Sequence, residues 1–196
     1  MGLSLNRTYT QYGIPKWQKP PSLYQGGFKL VLTHLLTTEV VADGTPVYVD
    51  EAARTATVLR TAKAQAIATD SAVAYKVEKG HHLAVGDYFA KTVGSKAYAI
   101  TAIDSTTSTD YDEITIGTTL GAAVAVGDAF FVSSAQGASA AALPVTPNGL
   151  VYQQTTVETG ASVAVAYAGQ VYKRRIPAMD ATALAALSRF LFSNSY

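Results

Sequence analysis

Hydrophobic and polar positions alternate along most of this chain in short runs, and strands rather than helices are the elements they predict. Phe28-Lys29-Leu30-Val31-Leu32 is the first candidate strand. Thr37 to Val41 and Thr45-Pro46-Val47-Tyr48-Val49 flank Ala42-Asp43-Gly44, and Asp-Gly between β-branched runs is a hairpin signal. Asp50 to Arg54 reads as the next turn, Thr57 to Arg60 as a strand, and Ala62 to Thr69 continues the β pattern while its Ala content leaves a helix open. Ala74 to Val77, Ala97 to Ile103 and Tyr111 to Ile116 follow, the last two joined by the polar loop Asp104 to Asp110. Gly149 to Tyr152, Ala161 to Tyr167 and Gly169 to Arg174 complete the strand-like runs before Pro177.

Two segments depart from alternation. Residues 1–27 carry Tyr9, Tyr12, Trp17 and Tyr24 among Pro15, Pro20 and Pro21 with no period of 2 or 3.6, so they read as an extended N-terminal arm. Its aromatics either dock into a partner or fold back on the chain's own core. Residues 180–192 have Leu184, Leu187 and Leu191 on one helical stripe behind Asp180, a plausible N-cap. A helix of about three turns is too short to stand alone, so it docks on its own chain or on a neighbour.

One piece of text occurs twice. Leu83-Ala84-Val85-Gly86-Asp87-Tyr88-Phe89 returns as Val124-Ala125-Val126-Gly127-Asp128-Ala129-Phe130. Gly permits the backbone angles of a tight turn, Asp bonds the turn's own amides, and the aromatic opens a strand. Short strands at Gly turns over residues 71–133 suggest a small SH3-like β-barrel. Residues 134–147, rich in Ala, Ser, Gly and Pro, read as a linker. The expected fold is therefore mainly β: a β-sandwich or barrel-like outer domain from 28–70 plus 148–196, a barrel inserted at 71–133, the arm, and one C-terminal helix. Insertion is favoured over two consecutive domains because 148–176 alone is too short to build a core.

Composition narrows the function. Charged residues are 15% of the 196, against roughly 25% in an average soluble domain, with a net charge of +1. Such a balance argues against nucleic acid as the main partner, since phosphate binding needs clustered cations. So little surface charge suggests that much of the surface is covered by a partner or by copies of the chain. No apolar run approaches the roughly 18 residues of a membrane span, and the N-terminus has no apolar signal stretch. Met-Gly-Leu-Ser-Leu-Asn resembles a myristoylation start, with Asn6 where Ser or Thr is preferred.

Catalytic chemistry has little to stand on. Cysteine is absent, and no nucleophile elbow or phosphate loop occurs. His34, His81 and His82 lack metal spacing, and the last two read as exposed turn residues. Asp104, Asp110, Asp112 and Glu113 are the densest acids and read as a solvated hairpin without the glycine and glutamate of a calcium loop. Lys173-Arg174-Arg175 is the only basic run, suited to an acidic neighbour or to capping the helix. The expectation is a binding protein rather than an enzyme, with no metal or cofactor.

Three stretches carry a resemblance. They are Val40 to Val49, the inserted unit with Val85-Gly86-Asp87-Tyr88 and Asp112-Glu113-Ile114-Thr115-Ile116, and the late pair Ser162 to Tyr167 with Gly169 to Tyr172 leading to Arg175-Ile176-Pro177. Over residues 28–177 the chain resembles the head-fibre and capsid-decoration proteins of tailed bacteriophages. The resemblance implies a virion structural protein made in the bacterial cytoplasm and bound outside an icosahedral shell. It also implies a homotrimer contacting the major capsid protein, with a host-surface glycan as a possible further partner. Tyr9, Tyr12, Trp17, Tyr24, Leu184, Leu187 and Leu191 are the candidate partner-binding residues. A carbohydrate-binding or tail-accessory β module is the alternative, and it would need aromatics along one exposed face.

Overall fold

The computed structural model describes residues 15–37 and 39–195, so Tyr9 and Tyr12 lie outside the described residues. In chain order the strands are β1 (Ser22–Leu23), β2 (Phe28–Leu30), β3 (Val40–Val41), β4 (Pro46–Asp50), β5 (Thr55–Val58), β6 (Thr61–Lys63), β7 (Ala74–Glu78) and β8 (Tyr88–Ala90). β9 (Ala97–Asp104), β10 (Tyr111–Ile116), β11 (Ala129–Ser133), β12 (Gly149–Val151), β13 (Thr155–Thr156), β14 (Ser162–Val163) and β15 (Val165–Tyr172) follow. A 3-10 turn (Lys173–Arg175), a helix α1 (Ala181–Ala186) and β16 (Phe190–Ser193) end the described chain. The protein is mainly β, with several sheets and none of them closed.

The first sheet runs β1-β15-β12-β4-β5-β2-β14, with β16 added in parallel to β15. Alternation makes it a two-faced layer. Val151 and Val165 join Phe28, Leu30, Val47 and Val49 in one core, while their neighbours Leu150 and Ala166 join Leu59, Val171, Leu187 and Phe190 in another. Each fully buried Val, Leu or Phe contributes about 1.5–3 kcal/mol. The β4–β5 hairpin turns where the pattern placed it. Asp50 Oδ1 accepts from Ala52 N and Ala53 N at 2.9 Å each, and Arg54 takes a left-handed φ of 55°.

The Asp43-Gly44 turn is present, with Thr45 N donating to Ala42 O at 3.2 Å, but it does not close a hairpin. β3 pairs with β13, whereas β4 pairs with β5 and β12. Gly44 N donates to Val151 O at 2.7 Å, and this contact from outside the turn sends its two flanks into different sheets.

The second sheet runs β6-β11-β8-β9-β10-β7. It starts at Thr61, ten residues before the expected barrel boundary at 71, because Thr61–Lys63 pairs with Ala129–Phe131. Its edge strands meet at a single bridge, Ala64 to Val77. The core is built on Phe89 and Phe130, ring centroids 4.4 Å apart, with Tyr75 beside both. The 134–147 segment is packed rather than free. Ala141 is buried, Ser134 N donates to Ala142 O at 2.9 Å, and Gly137 bridges to Ala97.

The C-terminal segment differs most from expectation. The helix expected over 180–192 covers Ala181–Ala186 alone. Asp180 is the N-cap, its side chain accepting from Ala183 N at 2.9 Å. Leu187 leaves helical geometry, and Phe190–Ser193 becomes a strand beside Gly169–Tyr172. Between residues 16 and 24 the arm folds back on β15. Gln18 N donates to Gln170 O, Tyr172 N to Lys16 O, and Ser22 and Leu23 pair with Ala168 and Ala166.

Candidate binding surface

The chain leaves the first sheet at Leu59-Arg60 and returns beside its own exit. Thr61 pairs with Phe131, and Val132 N donates to Arg60 O at 3.1 Å. At this two-strand neck Arg60, 8% exposed, turns its guanidinium to Asp87 with Nη1–Oδ2 at 2.5 Å and Nη2–Oδ1 at 2.8 Å. Nη1 also reaches His82 O at 3.1 Å and His34 O at 3.4 Å. One side chain thus ties the His34 loop beside the first sheet to the Asp87 turn of the second, and bidentate pairing fixes its orientation.

Asp87 belongs to the first copy of the repeated text, and both copies form the same turn. Gly86 and Gly127 have φ of 94° and 91°, which any other residue would adopt under strain. Asp87 N donates to Ala84 O and Asp128 N to Ala125 O, each at 3.1 Å. Each carboxylate accepts in return from the amide of that same alanine, at 2.7 and 2.9 Å. The copies differ in their cation: Asp87 takes Arg60, and Asp128 takes Lys91 at 2.8 Å. Burial works to raise the Asp128 carboxyl, but the Lys91 bond and charge and the Ala125 amide outweigh it and hold it below the usual carboxylate range.

His81 and His82, expected as exposed turn residues, both turn largely buried side chains toward acids. His82 Nδ1 lies 2.8 Å from Glu39 Oε2. His81 Nδ1 accepts from Leu83 N at 3.2 Å, which places the neutral ring's proton on Nε2. That atom is 3.2 Å from Asp112 Oδ2, an ion-pair distance without hydrogen-bond alignment. Lys79 holds Asp112 Oδ1 at 2.6 Å. Burial pushes the His81 imidazole below its ordinary value, with Asp112 and Glu39 opposing that shift.

The four hairpin acids do not converge. Asp112 faces Lys79 and His81. Asp104 is wrapped by its own loop, with bonds from the Thr107 and Thr106 hydroxyls and amides that hold its carboxyl well below the usual range. Among the described residues no group of three or more His, Cys, Asp or Glu is placed to hold a metal ion.

A groove lies where the chain end meets the second sheet. One part, about 540 Å³, has Ile176, Pro177, Met179 and Leu184 on one side and Lys63 and Asp128 on the other. A second part, about 280 Å³, shares Lys63, Arg174, Ile176, Pro177 and Ala178 with the first and adds Lys16, Lys79, His81 and Arg175. The basic run Lys173-Arg174-Arg175, read from sequence as meeting an acidic neighbour or capping the helix, forms the 3-10 turn on its rim. The signal missed in the sequence was that Lys16, Lys63 and Lys79, spread over 63 residues, would be gathered beside it.

The expected partner-binding residues scatter. Trp17 packs on Tyr152 and Phe190 at 5.9 and 6.4 Å, with Nε1 donating to Tyr152 O at 3.3 Å. Tyr24 stacks edge-on to Phe28 at 5.5 Å and against Tyr167 at 5.2 Å. Leu187 is buried, Leu184 is half-buried in the groove wall, and Leu191 is 59% exposed. No protein-family model, curated protein or solved structure matches the chain.

Proposed function

We propose that this chain is a virion structural protein of a tailed bacteriophage, a capsid-decoration or head-fibre protein that binds the outer surface of the shell. The observation that carries this reading is the layout. One β unit holds the arm and the chain end, a second unit is joined to it beside the strands at Arg60–Thr61 and Phe131–Val132, and the groove lies where the two meet. A base that binds and a module that stands off it suit a protein on a particle surface. Low charge adds support, since 15% charged residues leave much surface fit to be covered.

In finer detail, the outer unit is read as a sandwich-like base and the inserted one as an SH3-like barrel, its edges meeting at Ala64 and Val77. The assembly is read as a homotrimer on the major capsid protein, with Leu191 and the groove wall at Leu184 facing partners. A carbohydrate-binding module gains no support from the surface: among the described residues Tyr48, at 42%, is the one exposed aromatic.

Co-sedimentation with undecorated shells of the virus encoding the chain tests the proposal. The full chain is expected to travel with the shells at a fixed ratio. Removing residues 1–14 is expected to lower occupancy while leaving the β fold intact, because Trp17 and Tyr24 stay in place. Recovery of all the protein at the top of the gradient would rule the reading out.

A further inference from the structure

We propose that the groove at the junction of the two units is a docking site for a peptide segment of another protein in which carboxylate and apolar side chains alternate. The chain carries a net charge of +1, yet six of its 15 Lys and Arg line this one groove, against the carboxylates Glu78 and Asp128. One wall is aliphatic: Ile176, Pro177, Met179 and Leu184. A segment alternating in character sets its apolar residues on that wall and its carboxylates against the cations.

The cations divide into two sets. Lys16, Lys63 and Lys79 are held by Asp43, Glu78 and Asp112 at 3.1, 2.7 and 2.6 Å, so their positions are fixed while their charges are partly neutralised. Lys173, Arg174 and Arg175 follow one another on the 3-10 turn, and none of the three is buried. Among the described residues neither Lys173 nor Arg175 forms an ion pair with a carboxylate. Arg175 is itself positioned, donating to Pro15 O at 2.9 Å and lying over the Tyr172 ring at 4.2 Å.

Two other ligand classes fit less well. Among the described residues no Phe, Tyr or Trp lines either part of the groove, and the one ring there, His81, has its side chain buried against Asp112, so nucleobases find little to stack on. The cations come from four places in the chain, Lys16, Lys63, Lys79 and the 173–175 turn, and are divided between two adjoining parts of the groove, so a ligand with several carboxylates meets more of them than a single small anion does. The proposal concerns the groove alone and stands whether or not the partner is a capsid.

Fluorescence anisotropy on the full chain tests it, with a labelled peptide alternating Glu and Val. Saturable binding is expected, and it should weaken as salt rises from about 0.05 M to about 0.5 M. Lys173→Glu should weaken it several-fold, and Lys173→Glu with Arg174→Glu about tenfold or more, since opposed charges then face the peptide. Lys29→Glu, a change on β2 away from the groove, should leave it unchanged. Circular dichroism of each variant verifies the fold. Absence of binding, equal loss in the Lys29 variant, or full displacement by inorganic phosphate at concentrations matching the peptide would each overturn the proposal. So would tighter binding of an oligothymidylate than of the peptide.

Discussion

The residue with the clearest pH consequence is His81. Its ring is buried, Nδ1 is occupied by the Leu83 amide, and Nε2 faces Asp112, with Lys79, His82 and Glu39 close by. Burial depresses its pKa from 6.5, so between that value and the lower folded one the unfolded chain binds more protons. Stability from this group is therefore present above the ordinary imidazole value and is lost as pH falls below it. Denaturant unfolding at a series of pH values should show a falling midpoint from near-neutral to mildly acidic buffer. In His81→Gln that slope should be shallower, because Gln can accept from Leu83 N without taking up a proton. Identical slopes in the two proteins would remove His81 from the account. None of this was legible in Lys-Gly-His-His: the turn was visible, but the acids that bury the rings come from residues 39 and 112, distant in the chain.

At the scale of elements, the pattern located strands well and their partners poorly. Strand runs are written in alternation, and β4 and β10 fall where alternation placed them, whereas β5 starts two residues before the expected run at Thr57 and β15 runs unbroken through Ala168 where two strands were expected. Pairing depends on what arrives from elsewhere. Asp43-Gly44 has the local text of a hairpin, yet β3 and β4 take different partners because Val151 and Thr155 compete for them. The chain end shows the same effect. Leu184, Leu187 and Leu191 keep helical spacing, but Phe190-Leu191-Phe192 also satisfies a period of two. With the arm paired to one side of Gln170–Tyr172, the other side was free to accept a strand. The two registers make opposite claims about neighbouring residues. Phe190 is 7% exposed against Trp17, while Leu191 points outward. Phe190→Ala should cost about 3 kcal/mol or more of unfolding free energy. Leu191→Ala should fall within about 0.5 kcal/mol, as an exposed substitution does. A helical continuation would make Leu191 a costly stripe residue, so a large loss there, measured by urea denaturation, would contradict the strand.

For the whole molecule, the central matter is how the two main sheets share one chain. Their cores are separate: Phe28, Val47 and Val163 belong to one cluster, and Tyr75, Phe89 and Phe130 to another. What joins them is the neck, the packed 134–147 segment around Ala141 and Leu143, and the Arg60–Asp87 pair. The exit and return strands are hydrogen-bonded neighbours, and Ala142 N donates to Ser133 Oγ at 3.0 Å, so the ends of 61–141 lie close together. Bridging nearby ends with a short Gly-Ser linker adds little loop entropy, because that cost grows only slowly with length. Replacing 61–141 in this way should leave the outer unit with a single cooperative unfolding transition and strand-type circular dichroism. Asp87→Ala in the full chain makes the instructive comparison. It leaves the Arg60 guanidinium buried without its carboxylate, which costs about 3–5 kcal/mol, whereas the excision removes Asp87 together with the surroundings that bury Arg60. The point substitution should therefore disturb the full-length protein by an amount that the excised chain, lacking the inserted unit altogether, does not suffer at Arg60. Loss of cooperative unfolding in the excised chain would show that the first sheet depends on the second for its core, and that the two form a single unit.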